Sequence, residues 1–407
     1  MDIAAGYKIT EIGVIPEDWN VVKFDDVFDL STSSIKTEDF DVSNYVSTEN
    51  LLQQKKGVMP YLSDISYASV KEYLVNDILV SNIRPYLKKI WLSDKNAGCS
   101  SDVLVVRCKA NGLITPSFAY YPLSDDKFFS YATDTAIGTK MPRGDKKAIR
   151  EYKFALPSST DEQVRISKTI LDFDKYIEGV DIEITKKKLL KEGAMQELLT
   201  GKTRLAGFSG EWCEVKLGDI LTVKSGYPFK SETYSAFGDY KIITISNVKN
   251  GKLDMSEYNK LTTCPIDLQN HHKLKIGDII VSMTGNVGRV CIVDTEKCLL
   301  NQRVGLLSFD KLYQLDKGFI YNILNSEKFE TYLIKKGQGA AQANIGNKDI
   351  ESYSMYIPKD VNEQAAIASI LSDLDAEIKA LEAEYDKYTL IKQGMMQQLL
   401  TGQIRLK

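Results

Sequence analysis

Histidine is almost missing from this chain of 407 residues: His271 and His272 are the only two. Neighbours on a strand face opposite sides, so this pair cannot serve one metal, and a solvated loop before Lys273 is the plainer expectation. Cysteine is scarce as well. The six lie at 99, 108, 213, 264, 291 and 298, with no Cys-x-x-Cys pair. That spacing gives neither a zinc site nor a disulfide framework, and it points to reduced thiols and a cytoplasmic location. No run of 18 apolar residues occurs, which excludes a membrane-spanning helix, and Met1-Asp2-Ile3 does not open a secretory signal. No Gly-x-x-x-x-Gly-Lys-Ser/Thr loop is present to cradle a nucleotide triphosphate, and no Gly-x-Gly follows a strand. The Asn/Asp-Pro-Pro-aromatic tetrapeptide expected of a DNA amino-methyltransferase is missing too. The sequence therefore assigns no catalytic residue, no metal ligand and no cofactor. The net charge of −3 favours no class of partner, so a case for nucleic acid rests on local charge.

What is present is a long helix that occurs twice. Residues 162–205 return at 363–406 with a constant offset of 201 residues and no gap, and 19 of the 44 aligned positions are identical. The copies open Glu162-Gln163 and Glu363-Gln364, and close Leu-Leu-Thr-Gly-x-x-Arg-Leu. Ile166, Ile170, Phe173 and Ile177 step by four, three and four, as do Ile367, Leu371, Leu374 and Ile378. That alternation averages 3.5 residues, the period of a coiled-coil seam. Asp161-Glu162 and Asn362-Glu363 supply capping side chains after Pro157 and Pro358, and Thr-Gly supplies each stop. Neither copy can bury its stripe alone, so the simplest partner for one is the other.

A globule precedes each helix. The first opens at Trp19 after a short leader and the second at Trp212; each ends at the Pro before its helix. Branched runs such as Ile78-Leu79-Val80-Ser81 and Ile279-Ile280-Val281-Ser282 read as strands, while 116–131 and 317–336 read as helices. The fold class is thus α+β, a tandem of globule and helix. The expected divisions are 1–158, a leader with the first globule; 159–205, the central helix; 206–359, the second globule; and 360–407, the final helix. The globules match far less well than the helices, which suggests two variants of one module on a fixed scaffold.

Near the end of the first globule, Lys140, Arg143, Lys146, Lys147, Arg150 and Lys153 fall within fourteen residues that also hold Asp145 and Glu151. Gly138, Pro142 and Gly144 make a loop of this stretch. Its counterpart, from Lys335 and Lys336 on, is rich in amides and includes Gln338, Gln342, Asn344 and Lys348. Arg and Lys hold phosphates and guanine edges, and Asn and Gln pair with adenine edges. Arg84, Lys88 and Lys89 in the first globule, and Arg289, Gln302 and Arg303 in the second, are weaker DNA-binding candidates.

The order of Trp-opened variable globule, long helix ending Leu-Leu-Thr-Gly-x-x-Arg-Leu, second variable globule and second such helix resembles the specificity subunit of type I restriction-modification systems. The leader from Tyr7 to Trp19 and the stretch from Asp278 to Arg289 are also similar to that family. The resemblance implies two target recognition globules separated by two long antiparallel coiled-coil helices, a tandem repeat with a pseudo-two-fold relation. It implies that each globule reads one half of a bipartite site in double-stranded DNA and that the helices set the spacer. It further implies two adenine-N6 methyltransferase subunits docked on the helices and ATP-dependent restriction subunits as partners, with this chain supplying no catalysis. A specificity subunit of a bifunctional cutting-and-methylating enzyme, and a scaffold joining two protein-binding modules, remain alternatives.

Overall fold

The computed structural model describes residues 5–311, 314–337 and 344–406. It divides into two compact units, residues 1–181 with 384–407, and residues 182–383. Each unit therefore combines one globule with the N-terminal part of one long helix and the C-terminal part of the other.

In the first unit the leader is a β-hairpin, Tyr7–Thr10 against Gly13–Pro16. Trp19–Lys23 then pairs antiparallel with Lys153–Pro157, Trp19 opposite Pro157, so the chain enters and leaves the globule side by side. Between these ends lies a four-stranded antiparallel sheet in the order Phe28–Leu30, Val103–Cys108, Ile78–Ser81, Ile90–Leu92. A separate three-stranded antiparallel sheet runs in the order Ser34–Lys36, Ser69–Tyr73, Ala97–Cys99. All four residues of Ile78–Ser81 are buried, which is why the strand reads as an unbroken apolar run and not as an alternating one. Trp19, Phe24, Phe28, Phe118, Phe128 and Phe129 fill the main core.

The second unit repeats this frame. Trp212–Lys216 pairs with Ser354–Pro358, Trp212 opposite Pro358. Thr222–Ser225, Val304–Ser308, Ile279–Ser282 and Val290–Ile292 form the matching antiparallel sheet. A further four-stranded sheet differs from its counterpart by including one parallel pair, Tyr240–Ile243 with Cys298–Leu300. The stretches expected as single helices are each two: Pro116–Ser124 and Asp126–Asp134, then Lys317–Leu324 and Glu327–Lys336. The first break has a clear cause. Asp125 leaves the helix in an extended conformation and its carboxylate accepts from Lys127 N at 2.9 Å, starting the next helix.

The long helices are Thr160–Leu198 and Val361–Leu400. Their caps sit earlier than the sequence suggested: Ser159 Oγ accepts from Glu162 N at 3.4 Å, and Asp360 Oδ1 from Asn362 N at 2.9 Å. In the first unit Asp174 pairs with Lys392, and Tyr176 packs on Tyr388 with ring centroids 4.6 Å apart and donates to Glu384. In the second, Lys187 pairs with Glu377 and Lys191 with Asp375, both at 2.6 Å. Partner numbers fall as those of the first helix rise, so the segments run antiparallel within each unit. The pairs Asp174–Lys392 and Lys191–Asp375 are the same contact seen in both repeats.

The expected seam is only partly a helix-to-helix core. Ile166 and Ile170 are fully buried, but in the core of the first globule together with Leu399 and Leu400. Ile367 and Leu371 join the second globule's core with Leu198. Ile378 is buried, whereas Phe173, Ile177 and Leu374 are half-buried, because two helices alone leave one side of a seam uncovered. The repeated Glu-Gln opening also has a structural reason. Gln163 donates to Leu113 O and Pro157 O at 2.9 and 3.0 Å and accepts from Thr115 N at 2.8 Å. Gln364 donates to Pro358 O and accepts from Asp316 N, both at 2.8 Å. These buried amides fasten each helix start to its globule. Among the described residues no helix is long and apolar enough to cross a membrane.

Candidate nucleic-acid interface

In each unit, strands from distant parts of the sequence end at one place. In the first, the turn after Ile78–Ser81 meets two other segments. Asn82 N donates to Asp102 O at 2.8 Å, Arg84 N to Pro142 O at 2.8 Å, and Gly144 N to Asn82 O at 2.9 Å, while Ile83 bridges Arg143. Arg84 and Arg143, far apart in the chain, are thereby brought together. In the second unit Met283 N donates to Arg303 O at 3.0 Å, Ile345 N to Met283 O at 3.0 Å, and Thr284 bridges Asn344. The two bridges, Ile83–Arg143 and Thr284–Asn344, are related by the same 201 residues as the helices. The framework that presents these loops is thus repeated, and the side chains it presents are not.

The charges on the first loop system are partly spoken for. Arg143 is exposed and lies 3.2 Å from Asp102. Lys146 and Lys147 are exposed and belong to a short helix, Lys146–Arg150, capped by Asp145, so the expected loop ends at Gly144. Arg150 pairs with Asp25, and Lys153 with Glu11 at 2.6 Å. Lys88 is half-buried and shares Asp126 with Lys55 at 3.1 and 2.6 Å. Burial would raise the Asp126 carboxyl, but the two ammonium groups outweigh it and hold the carboxyl below its usual range. Lys89 donates to Thr48 O, and burial, with Arg84 nearby, lowers its pKa. Lys88 and Lys89 therefore face the protein. Arg84, Lys140, Lys146 and Lys147 are exposed and make no ion pair among the described residues.

In the second system Gln302, Arg303, Asn344 and Lys348 are exposed or nearly so, and Thr284 Oγ1 donates to Asn344 Oδ1 at 2.9 Å. Arg289 is partly buried and lies 4.0 Å from Glu330. Gln338 and Gln342 lie outside the described residues. Sequence reasoning missed Asp102 and Thr284, the groups that orient Arg143 and Asn344. A signal for Asp102 existed: it stands 201 residues before Arg303, so a carboxylate in one repeat replaces a guanidinium in the other.

Two backbone positions differ in kind. Arg84 and Lys88 hold φ of +53° and +52°, and the matching turn in the second unit has Gly285 and Gly288 at +73° and +85°. Left-handed backbone costs a side chain about 1–2 kcal/mol. The first unit keeps a cation at each position despite that cost.

Burial pushes the thiols of Cys99 and Cys291 up to about 12, and those of Cys108 and Cys298 up to about 11, the opposite of an activated nucleophile. The histidines are not a solvated loop pair: His272 is buried in a short turn and accepts from Gln269 N at 3.1 Å, and His271 contacts Ser225 O.

A family model described as the type I restriction modification DNA specificity domain matches residues 16–191 and again 209–387. The chain is 29% identical to the type I restriction enzyme MjaVIII specificity subunit of Methanocaldococcus jannaschii, over 97% of this chain and 94% of that one. It is 26% identical to the putative MjaX specificity subunit of the same organism, over 98% and 97%. Among solved structures, the S subunit of a type I restriction-modification system from M. genitalium superposes with a TM-score of 0.62 at 17% identity, over 97% of this chain and 98% of that one. The likeness to that structure is one of fold.

Proposed function

The chain belongs to the type I restriction modification DNA specificity family and is a specificity subunit, not a catalytic one, and we propose that its two units each read one half of a bipartite target in double-stranded DNA. The observation that carries this reading is the repeated bridge, Ile83–Arg143 and Thr284–Asn344, which presents two different sets of side chains from one framework. In the first unit Arg84 and Arg143 suit phosphates or guanine edges, with Lys140, Lys146 and Lys147 on the backbone. In the second, Asn344 and Gln302 suit adenine edges, with Arg303 and Lys348 on phosphates. The antiparallel helix segments fix the spacer between half-sites. Two methyltransferase subunits dock along them, restriction subunits complete the nuclease, and the assembly works in the cytoplasm.

The test is a salt titration of DNA binding by the full chain with its methyltransferase subunits. Replacing Arg143, Lys146 and Lys147 together by alanine should weaken binding and reduce the salt slope by about 1 for each phosphate no longer neutralised. Methylation mapping should show the second half-site unchanged. An unaltered salt dependence would make this loop an ordinary surface.

A further inference from the structure

The leader hairpin of the first unit fills a groove that the second unit leaves open. Ile12, Val14 and Ile15 of the hairpin lie against Pro122, Tyr152, Phe154 and Leu400, and only about 70 Å³ of space remains there. Ile15 is 2% exposed, Tyr7 Oη donates to Gly402 O at 3.0 Å, and Glu11 pairs with Lys153. Moving 201 residues along the repeat turns Pro122, Tyr152, Phe154 and Leu400 into Ile323, Tyr353, Met355 and Leu199. These four line a cavity of about 610 Å³ together with Met195 and Tyr356. Among the described residues no hairpin covers it, since the segment between Gly201 and Trp212 runs from the helix end to the entry strand without forming a strand of its own. The result shows in Tyr356. It is 56% exposed, whereas Ala155 at the matching place is 6% exposed.

The rim says what kind of group belongs there. Lys188 and Lys191 are already paired with Glu382 and Asp375 at 2.7 and 2.6 Å. Lys202 and Lys328 are balanced by Glu192 and Glu327 on the same rim. No net charge is left to neutralise, so the occupant is recognised by its apolar face. The first unit supplies the template: a short extended segment with branched aliphatic side chains, seated between the last turns of a long helix and the exit strand of the globule. Part of the cavity wall, Glu192 and Met195, belongs to the long helix that the functional reading assigns to methyltransferase docking, and Leu199 follows in the turn that ends it.

We propose that the cavity of the second unit receives an extended, isoleucine- or valine-rich segment of one methyltransferase subunit, at the position the chain's own hairpin occupies in the first unit. The proposal rests on the reading of this chain as a specificity subunit with two docked methyltransferases. It adds that the two docking positions are not equivalent. One methyltransferase meets a groove already closed by residues 7–16, and the other closes an open groove with its own chain.

A photo-reactive benzoylphenylalanine placed at position 356 of the full chain tests this in the complex with its methyltransferase subunits. The side chain is exposed, so the replacement leaves the core alone. Irradiation should join position 356 to one non-helical, aliphatic segment of the methyltransferase, identified by mass spectrometry. In parallel, Tyr356→Lys should weaken the binding of one methyltransferase copy at least tenfold and leave the other, so that native mass spectrometry finds a one-to-one complex where the unaltered chain gives two-to-one. An intact two-to-one complex of Tyr356→Lys, with no cross-link or with one to the leader of a second copy of this chain, overturns the proposal. If the unaltered chain binds no methyltransferase at all, it is the functional reading that fails.

Discussion

Trp19 and Trp212 open the two globules in the same way, but only one of the two indole nitrogens has an acceptor. Trp19 Nε1 donates to Glu162 at 3.1 Å. Arg405 grips the same carboxylate and reaches Asp18 at 2.7 Å, with its guanidinium 5.5 Å above the Trp19 ring. Burial would raise the Glu162 carboxyl, but the hydrogen bonds from Arg405 and Trp19 outweigh it and hold the carboxyl below its usual range. In the second unit Arg204 takes Glu363 with both ends of its fork, at 2.6 and 2.8 Å, and lies 5.8 Å above Trp212. Trp212 Nε1 is buried with no acceptor, and Glu211, where the first unit has Asp18, turns to Lys359 instead. The comparison teaches which parts of the latch are essential. The Arg–Glu fork and the Arg–Trp stack occur in both units, and the indole hydrogen bond is an addition in one.

The strongest way to break that view is to remove the arginines. Arg204→Ala leaves Glu363, which is fully buried, without its fork and should cost about 3–5 kcal/mol. Arg405→Ala should cost about 1–2 kcal/mol less, because Trp19 still donates to Glu162. Urea denaturation of the full-length variants gives both values, and equal costs would mean that the indole bond contributes nothing. A finer comparison changes the tryptophans. Trp19→Phe and Trp212→Phe remove the same volume, but only the first removes a hydrogen bond to a carboxylate. The first should be the more destabilising by about 1.5–3 kcal/mol, the range for a hydrogen bond to a charged group. The smallest effect is expected at the loops. Lys88→Gly makes the first turn like the second, relieving left-handed backbone while leaving Lys55 on Asp126. Glycine's greater freedom in the unfolded chain, about 0.4–1 kcal/mol, offsets much of that relief, so stability should change by about 1 kcal/mol or less, and the salt slope of DNA binding should not move, since Lys88 faces Asp126 and not the surface.

The tandem was legible because the helices carry their pattern locally. The 3.5-residue stripe, the Glu-Gln openings, the Leu-Leu-Thr-Gly endings and the Pro that closes each globule repeat at one offset, and a Trp opens each globule. What escaped was tertiary. Nothing in the run from Lys140 to Lys153 announces that Arg150 and Lys153 are neutralised by Asp25 and Glu11, from the far end of the globule. Lys88 and Lys89 looked as free as Arg84, and only the fold shows Asp126 and Thr48 O beneath them. The middle seam positions Phe173, Ile177 and Leu374 were read as core because period reports which face is apolar, not how many neighbours cover it. The leader's hairpin was missed for a related reason: it is held by a groove, not by a strong turn signal of its own.

The Arg405 latch also bears on the order of events during synthesis. Its partner Asp18 lies 387 residues earlier, and Leu399 and Leu400 complete the core that Phe24 and Phe28 begin. The ribosome must therefore deliver the whole second globule before the first can be finished. Until then the groove that will hold Leu400 stays exposed on a nascent chain. The second unit waits less, since residues 182–383 form one uninterrupted stretch. Vectorial synthesis thus favours closing the later unit first and the earlier one last, so a chain truncated just after residue 383 would carry a finished second unit and an open first one.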